Sequence, residues 1–245
     1  MTRMRLSIYP DVPSANRAAA ALLAGWLSAP GVRNLMLPGG NTPLELYRLI
    51  AEMRPSLAHL RVFALDEYVG VPADEPRNCA NLIRRTAVEP WGVPPAQYFT
   101  IRSLEADALA SVRQHEHRIE AWGGLDVLVL GLGQNGHLGF NEPGSPEDCG
   151  ARVLDLDATS IEANRRWFSG DYSPVRGATT GLKTLLAARQ VLILAFGPPK
   201  ADAVKAMVEG PCGPVCPASF LQGHPCCHLV LDTAAAAGLN VRHAP

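Results

Sequence analysis

The chain has 245 residues, of which 47% are hydrophobic and 18% are charged, and its formal net charge is −1. This composition is typical of a globular protein with one large α/β domain or two small ones. A net charge so close to zero, without a basic stripe, gives no electrostatic basis for binding nucleic acid or an anionic membrane. We therefore expect neither partner, and an anionic ligand would have to be small and held by local groups.

The N-terminal segment predicts a strand at 5–10 followed by a helix. Residues 17–27, RAAAALLAGWL, resemble the apolar core of a signal peptide, but Asp11 and two prolines precede them. An amphipathic helix capped by Ser14 or Asn16 fits this pattern better. No uninterrupted apolar stretch reaches the roughly 18 residues of a membrane span. We expect a cytoplasmic protein.

Short apolar runs alternate with segments of helical periodicity along the rest of the chain. The predicted strands are 5–10, 34–38, 61–66, 125–133, 151–157, 190–197 and 228–232, and the predicted helices include 42–54, 104–122 and 199–210. This alternation predicts an α/β fold with a mostly parallel sheet covered by helices on both faces. No repeat or linker interrupts it, so we predict one domain over residues 1–245.

Polar residues follow four of the predicted strands. They are PGGNTP at 38–43, DEY at 66–68, GQNGHLGFNEPGS at 133–145 and GPPK at 197–200. Open α/β sheets bind ligands outside the carboxyl ends of their strands. We therefore expect these four segments to form one candidate site.

The glycine motif GLGQNG at 131–136 has the spacing of a dinucleotide-binding fingerprint, and Asp155 and Asp157 follow at a suitable distance. That fingerprint requires a helix directly after the glycines, whose N-terminus holds the pyrophosphate. Four helix breakers follow instead, namely Gly139, Pro143, Gly144 and Pro146. The segment is predicted to be a loop, and a nicotinamide cofactor is not expected.

His137 and Glu142 lie in this loop. Histidine is the natural proton carrier near neutral pH, and a nearby carboxylate orients it and favours the imidazolium. A single loop histidine more often only hydrogen-bonds the backbone. We predict a non-catalytic role for His115 and His117 on an exposed helix, and a catalytic role for His137.

The segment LPGGNTPLELY at 37–47 predicts an anion site. Gly39 and Gly40 let backbone N–H groups approach a ligand, and Thr42-Pro43 starts a helix. Backbone amides at a helix N-terminus bind anions without a net basic charge. The alternative is a plain glycine turn capped by Thr42.

Charged residues near the same strand ends are further candidates. Lys200, and either Arg165 or Arg166, could pair with a bound anion. Asp66 and Glu67 follow an apolar strand, where a carboxylate can act as a base. Asp66 on its own is equally compatible with a loop or capping role.

Six cysteines occur at positions 79, 149, 212, 216, 226 and 227. We expect reduced thiols in a chain of this length without a secretory signal. The segment 212–228 also contains His224 and His228, and zinc could use four of these side chains. The spacing is not that of a standard zinc site, and Cys227 begins an apolar strand pattern. We expect no metal.

Several motifs together resemble the glucosamine-6-phosphate deaminase/isomerase family, which is related to galactosamine-6-phosphate isomerases and 6-phosphogluconolactonases. The resemblance runs from about Asn34 to Asp232, and its motifs are LDEYVG, GHLGFNEPGS, ANRRWF, GPPKADAV with the following AMVEG, and FLQGHP. It implies a single three-layer α/β/α sandwich with a modified Rossmann-like sheet and no cofactor. A homo-oligomer is compatible with it.

The resemblance also implies roles for individual residues. The aspartate matching Asp66 moves a proton between C2 and C1 of the opened sugar, the histidine matching His137 assists ring opening, and the glutamate matching Glu142 orients it. The glycine loop that includes Gly131 and Gly136 serves a sugar phosphate rather than a dinucleotide. The phosphate is held by groups matching Gly40, Asn41, Thr42, Arg166 and Lys200.

Two positions depart from the family pattern. Asn135 stands where these enzymes usually have an aspartate, and GGNTP at 39–43 looks more like the GGSTP of lactonases than the TGGTP of glucosamine-6-phosphate deaminases. The resemblance predicts a deaminase/isomerase that converts a hexosamine 6-phosphate to a ketohexose 6-phosphate and ammonia. Because of the two departures, the hexosamine can be of glucosamine or galactosamine type. The alternatives are a 6-phosphogluconolactonase-type hydrolase and a non-catalytic sugar-phosphate-binding protein.

Overall fold

A computed structural model describes residues 4–240 of the chain. The strands are β1 (Arg5–Tyr9), β2 (Asn34–Leu37), β3 (Arg61–Ala64), β4 (Asp66–Tyr68), β5 (Tyr98–Phe99), β6 (Val127–Gly131), β7 (Arg152–Asp155), β8 (Arg176–Thr179), β9 (Gln190–Ala195) and β10 (Cys227–Asp232). The α-helices are α1 (Val12–Leu27), α2 (Leu44–Met53), α3 (Cys79–Ile83), α4 (Glu105–Ala121), α5 (Ala158–Trp167), α6 (Leu182–Leu186) and α7 (Ala201–Glu209). The predicted extent of the domain at 1–3 and 241–245 lies outside the described residues.

Seven strands form one sheet in the order β1-β10-β9-β6-β2-β3-β5, and every neighbouring pair in it is parallel. The predicted mostly parallel α/β sheet is confirmed. Because the strands are parallel, all their carboxyl ends lie along the same edge. The loops that leave β2, β3, β6 and β9 are therefore neighbours.

The remaining strands form a small antiparallel sheet of order β4-β8-β7. Two of the predicted strands differ from the structure in their extent or in the sheet to which they belong. The run 61–66 divides into β3, which ends at Ala64, and β4, which starts at Asp66. The run 151–157 gives β7, which pairs with β8 outside the main sheet. The sequence patterns did not predict β5, β8, α3, α5 or α6.

Alternate residues of the central strands enter two different cores. In β9, Leu192 and Leu194 pack with residues of α1 and α2 on one face. Val191 and Ile193 pack with residues of α4, α6 and α7 on the other face. This alternation is the geometry of a strand that is buried on both sides. It confirms the three-layer arrangement.

The first two helices begin differently from the sequence prediction. Asp11 is the N-cap of α1 and accepts a 2.7 Å hydrogen bond from the backbone N–H of Ser14, so capping by Ser14 or Asn16 was wrong. Helix α2 begins at Leu44 with Pro43 at its N-cap, and no side chain caps it. Thr42 is therefore not a cap.

His115 was predicted to be exposed, but it is buried in α4. Its Nε2 lies 2.9 Å from the Ala64 carbonyl oxygen, and burial lowers its pKa to about 4. His117 is exposed, as predicted. Apolar neighbours such as Phe63 cover His115, which therefore remains neutral at physiological pH.

All six cysteines have free thiols, and Cys227 is buried at the start of β10. Within residues 4–240, no cluster of three or more histidine, cysteine or acidic side chains is arranged to hold a metal ion. The same residues include no helix with the length and apolar character that a membrane crossing needs.

Candidate active site

A cavity of about 550 Å³ lies at the carboxyl ends of the parallel strands. Its walls come from the segments that follow β2, β3, β6 and β9, and α5 contributes a further wall. The four polar strand ends therefore meet at one place. The sheet topology brings them together, since each segment leaves a parallel strand at the same edge.

One wall is the glycine turn between β2 and α2, where Gly39, Gly40, Asn41 and Thr42 line the cavity. Gly40 has a φ of +82°, a conformation that side-chain-bearing residues rarely adopt. Gly131, at the end of β6, also lines the cavity, and a Cβ on it would lie 3.9 Å from the Thr42 Cβ. The turn thus leaves backbone and small polar groups open to a ligand, next to the start of a helix.

Two cations lie at this cavity. The Nζ of Lys200 donates a 2.7 Å hydrogen bond to the Leu132 carbonyl oxygen, and burial lowers the pKa of the lysine. Arg166 lines the cavity from α5 and pairs with Glu162 at 3.1 Å. Arg165 also pairs with Glu162, but it does not line the cavity. The geometry therefore favours Arg166 over Arg165 as an anion-binding candidate.

Asp66 begins β4 and lines the cavity, although the residue is only 6% exposed. Burial raises the pKa of its carboxyl to about 7, and the nearby Cys79 thiol partly opposes that rise. A carboxylate that titrates near neutrality suits a general base, which must be ionised yet still hold a proton after abstracting it.

Glu67, the next residue, serves a different purpose. Its Oε1 accepts hydrogen bonds from the backbone N–H groups of Tyr68 at 2.8 Å and Cys79 at 3.2 Å, and its Oε2 accepts one from Ala80 at 3.0 Å. Burial raises its pKa to about 8, and these three donors limit the rise. Glu67 holds the start of α3 rather than facing the cavity.

His137 lines the cavity and is held by a group of polar side chains. Its Nδ1 lies 3.2 Å from Glu142 Oε2 and 3.2 Å from Ser160 Oγ. Asn135 donates a 2.8 Å hydrogen bond to Glu142 Oε2 and accepts one from the His137 backbone N–H at 3.2 Å. Burial would raise the pKa of Glu142, but His137, with Ser160 and Asn135, lowers it to about 2. Glu142 is thus an ionised partner for the imidazole.

The candidate residues therefore occupy two layers. Asp66 and His137 line the cavity, while Glu142 and Asn135 lie behind His137. Gly136 lies away from the cavity lining, and a Cβ on it would lie 2.5 Å from the Cys216 sulfur. Gly136 was predicted to lie at the ligand, and in the structure it packs against Cys216 of the 213–219 loop.

Sequence reasoning missed several cavity residues. A Cβ on Gly133 would lie 2.4 Å from the His137 ring, so this glycine makes room for the imidazole. Helix α5 supplies Ser160, Asn164 and Trp167, which line the cavity at spacings of four and three residues. That spacing marks one face of a helix, and it could have indicated their shared orientation.

The fold and the cavity define an α/β protein built to handle a small anionic ligand at the carboxyl edge of a parallel sheet. The chain belongs to the family described as glucosamine-6-phosphate isomerases/6-phosphogluconolactonase, which matches residues 12–229.

Curated relatives are similar to this chain over most of its length. It is 40% identical over 243 residues to a glucosamine-6-phosphate deaminase of Cutibacterium acnes, covering 97% of this chain and 93% of the relative. It is 38% identical over 245 residues to a glucosamine-6-phosphate deaminase of Rhodopirellula baltica, covering 98% and 97%.

Solved structures agree with this assignment. The structure matches a monomeric glucosamine-6-phosphate deaminase with a TM-score of 0.92 and 28% identity, covering 96% of this chain and 100% of that one. It matches a 6-phosphogluconolactonase from Trypanosoma cruzi with a TM-score of 0.80 and 20% identity, covering 98% of both chains. The second likeness establishes a shared fold only.

Proposed function

We propose that this chain is an aminosugar-phosphate deaminase/isomerase, converting a hexosamine 6-phosphate to a ketohexose 6-phosphate and ammonia. The observation that carries the proposal is that Asp66 and His137 open onto the same cavity as the glycine turn at 39–42. A base, a ring-opening group and a phosphate cradle are the three parts that this reaction needs in fixed relative positions.

The proposed reaction starts with opening of the sugar ring, which His137 assists at the ring oxygen while Glu142 holds its Nδ1 side. Asp66 then removes the proton from C2 and returns it to C1, so that the aldose becomes a ketose imine. Water adds to the imine carbon, and ammonia leaves as the C–N bond breaks. The sequence balances without a redox cofactor or a metal.

The phosphate is proposed to bind at the turn that carries Gly39, Gly40, Asn41 and Thr42, with Lys200 and Arg166 supplying the positive charge. Backbone amides and two cations together satisfy a dianion at the far end of the sugar from the reacting carbons. Gly131 lines the same wall, where a side chain would approach Thr42.

The relatives with 40% and 38% identity are named glucosamine-6-phosphate deaminases, so glucosamine 6-phosphate is the first substrate to assay. Galactosamine 6-phosphate is the second, because GGNTP and Asn135 depart from the deaminase pattern. Six free thiols are consistent with a reducing compartment, and we propose a cytoplasmic location.

The test is ammonia release from purified protein with a panel of hexosamine 6-phosphates, with 6-phosphogluconolactone hydrolysis measured alongside. We expect ammonia and a ketohexose 6-phosphate in equal amounts from at least one hexosamine 6-phosphate. Rapid lactone hydrolysis without ammonia from any member of the panel would replace the proposal with the lactonase alternative. Tight binding of these sugars without turnover of any of them would indicate a sugar-phosphate-binding protein.

A further inference from the structure

Helix α5 differs from the strand-end segments at the cavity because it does not follow a strand of the main sheet. It comes after β7, which belongs to the small antiparallel sheet. The helix nevertheless carries Ser160, whose hydroxyl lies 3.2 Å from His137 Nδ1, and Arg166, the candidate phosphate cation. Parallel topology places the strand ends together but does not by itself place α5. The position of this helix therefore depends on contacts of its own.

A buried hydrogen bond joins α5 to β4. The Tyr68 hydroxyl donates to Asn164 Oδ1 over 2.9 Å, and both residues are buried at the cavity wall. Tyr68 is the last residue of β4, and Asp66 is the first. Asn164 lies four residues after Ser160, on the same face of α5. The bond therefore connects the strand of the candidate base to the helix of the candidate cation.

The Tyr68 hydroxyl is fixed from its own side. The Tyr68 ring packs against Phe140 and Phe168, with ring centroids 4.9 Å and 5.3 Å away, and its backbone pairs with Gly177 of β8. Burial raises the pKa of the phenol well above its usual value, so the hydroxyl keeps its proton and can donate it in a hydrogen bond. The ring and the backbone thus hold this donor in a constant position.

The side-chain oxygen of Asn164 depends on this donor. The Tyr68 hydroxyl is its hydrogen-bond partner, whereas Asn164 Nδ2 donates to the Pro174 carbonyl oxygen over 3.5 Å, which is long for a hydrogen bond. Removing the hydroxyl would leave a buried amide oxygen without a donor, an unfavourable state that folded proteins rarely contain. Water can reach Asn164 when α5 moves outward, so loss of the hydroxyl favours displaced positions of the helix.

We propose that Tyr68 is a positioning residue for the proposed reaction: its hydroxyl, through Asn164, holds α5 in the place from which Arg166 borders the cavity. The inference rests on the proposed function, in which Arg166 binds the phosphate. It adds that the strand of the candidate base also sets the position of the phosphate cation. The two ends of the sugar are thereby bound at a fixed distance from each other.

The first test is the steady-state kinetics of Tyr68→Phe, which removes the hydroxyl and keeps the ring. In this variant part of the population has α5 displaced, and ligand binding has to restore its position. KM for the sugar phosphate should therefore rise about three- to ten-fold, while kcat at saturation stays within about two-fold of wild type. A fall in kcat with KM unchanged would contradict a role in placing the cation and overturn the inference.

Tyr98→Phe is the matched control. The Tyr98 hydroxyl also donates a 2.9 Å hydrogen bond, to the Ala80 carbonyl oxygen, and burial also raises the pKa of this phenol. Its partner belongs to α3 rather than to α5. We expect KM of Tyr98→Phe to stay within about two-fold of wild type. Equal increases of KM in Tyr98→Phe and Tyr68→Phe would attribute the effect to general loosening of the fold and overturn the inference.

A double variant shows whether the hydroxyl acts through the cation. If Tyr68 acts by placing Arg166, Tyr68→Phe should raise KM further by less than about two-fold in an Arg166→Ala background, because the group that it places is already gone. The same increase of KM in both backgrounds would show that the hydroxyl acts elsewhere and would overturn the inference.

Hydrogen exchange of the ligand-free protein separates this inference from the proposed function, because it needs no turnover. Amides of residues 158–167 should exchange about five-fold faster or more in Tyr68→Phe than in wild type, and at the wild-type rate in Tyr98→Phe. If wild type releases no ammonia, the proposed function fails while this exchange still decides whether the hydroxyl holds α5. Unchanged exchange of α5 in Tyr68→Phe would reject the inference alone, and with a raised KM it would mean that the hydroxyl meets the ligand directly.

Discussion

The Asn135 amide donates to Glu142 Oε2 over 2.8 Å, and that same carboxylate oxygen lies 3.2 Å from His137 Nδ1. One oxygen therefore serves two nitrogen groups. The Asn135 amide is neutral and interacts with the negative charge of Glu142 only through its dipole. Of the two groups, only the His137 imidazole can carry a full positive charge that balances the carboxylate. Because asparagine and aspartate have nearly the same shape, a substitution at position 135 can change the charge of the site with little change in packing.

Asn135→Asp should change the pH dependence of activity, because it places a negative charge beside Glu142 and His137. The new carboxylate would face Glu142 where an amide donor stood, and an imidazolium between them relieves the repulsion. The measurement is kcat/KM against pH with the hexosamine 6-phosphate that releases ammonia. Asn135→Ala serves as the control, because it removes the donor without adding charge. A profile for Asn135→Asp that superimposes on wild type would exclude a direct influence of position 135.

Ser160→Ala should lower kcat about ten-fold and change KM little, because the Ser160 hydroxyl lies 3.2 Å from His137 Nδ1 and helps to keep the pKa of Glu142 low. Ser145→Ala is the matched control. Its hydroxyl lies in the same loop region and donates to the backbone carbonyl oxygen of Glu142 at 2.6 Å, without contacting the imidazole. We expect that variant to lose thermal stability more than kcat. Equal losses of kcat in the two variants would show that the loop, rather than the imidazole contact, is affected.

The parallel sheet and its polar edge were predictable because they depend on local patterns. Apolar runs such as 190–197 and the polar segments that follow them are visible in the sequence, and parallel topology brings strand ends together regardless of the details. The break between β3 and β4 was not predictable from hydrophobicity, since 61–66 is apolar almost throughout. It arises from pairing of Asp66 with Thr179, more than a hundred residues away in the chain.

The contributions of Cys79, Ser160 and Gly133 to the site also depend on distant contacts. Cys79 lines the cavity because Glu67 accepts hydrogen bonds from the backbone of Cys79 and Ala80 and so ties α3 to β4. Ser160 reaches His137 only when α5 folds over the cavity, and no pattern around it predicted that helix. Similarly, the polar neighbours of His115 in the sequence predicted a surface position. The residue is buried because it lies on the face of α4 that packs against the main sheet.

Arg166→Ala should raise KM for the sugar phosphate roughly 10- to 100-fold and leave kcat largely intact, because it removes a cation proposed to bind the phosphate far from the reacting carbons. Arg165→Ala is the matched control. Both arginines pair with Glu162, and of the two it is Arg166 that lines the cavity. We expect KM of Arg165→Ala to stay within about two-fold of wild type, as for a weak exposed ion pair. Inhibition by inorganic phosphate should weaken in Arg166→Ala and stay unchanged in Arg165→Ala. A larger effect in Arg165→Ala would contradict the proposed position of the phosphate.

Asp66→Asn should abolish incorporation of deuterium at C2 of the substrate in heavy water, because an amide cannot accept the C2 proton. The exchange is followed by NMR of recovered substrate and product, with Asn135→Ala as a variant that retains the base. Wild-type exchange in Asp66→Asn would remove Asp66 from the role of base, whatever its effect on ammonia release.

The same substitution should stabilise the protein, and the gain should depend on pH. Burial raises the pKa of Asp66 from 3.8 to about 7, so the folded state binds this proton more tightly than the unfolded state does. The ionised carboxylate therefore destabilises the fold increasingly as pH rises from about 4 to 7, reaching a limit on the order of 4 kcal/mol above pH 7. Asparagine does not ionise, so Asp66→Asn should show little gain near pH 4 and its full gain at pH 8, measured by urea unfolding across this range. An equal gain at both pH values would mean that the buried charge is not its source, and a loss at pH 8 would show that the carboxylate contributes favourable contacts that outweigh its burial.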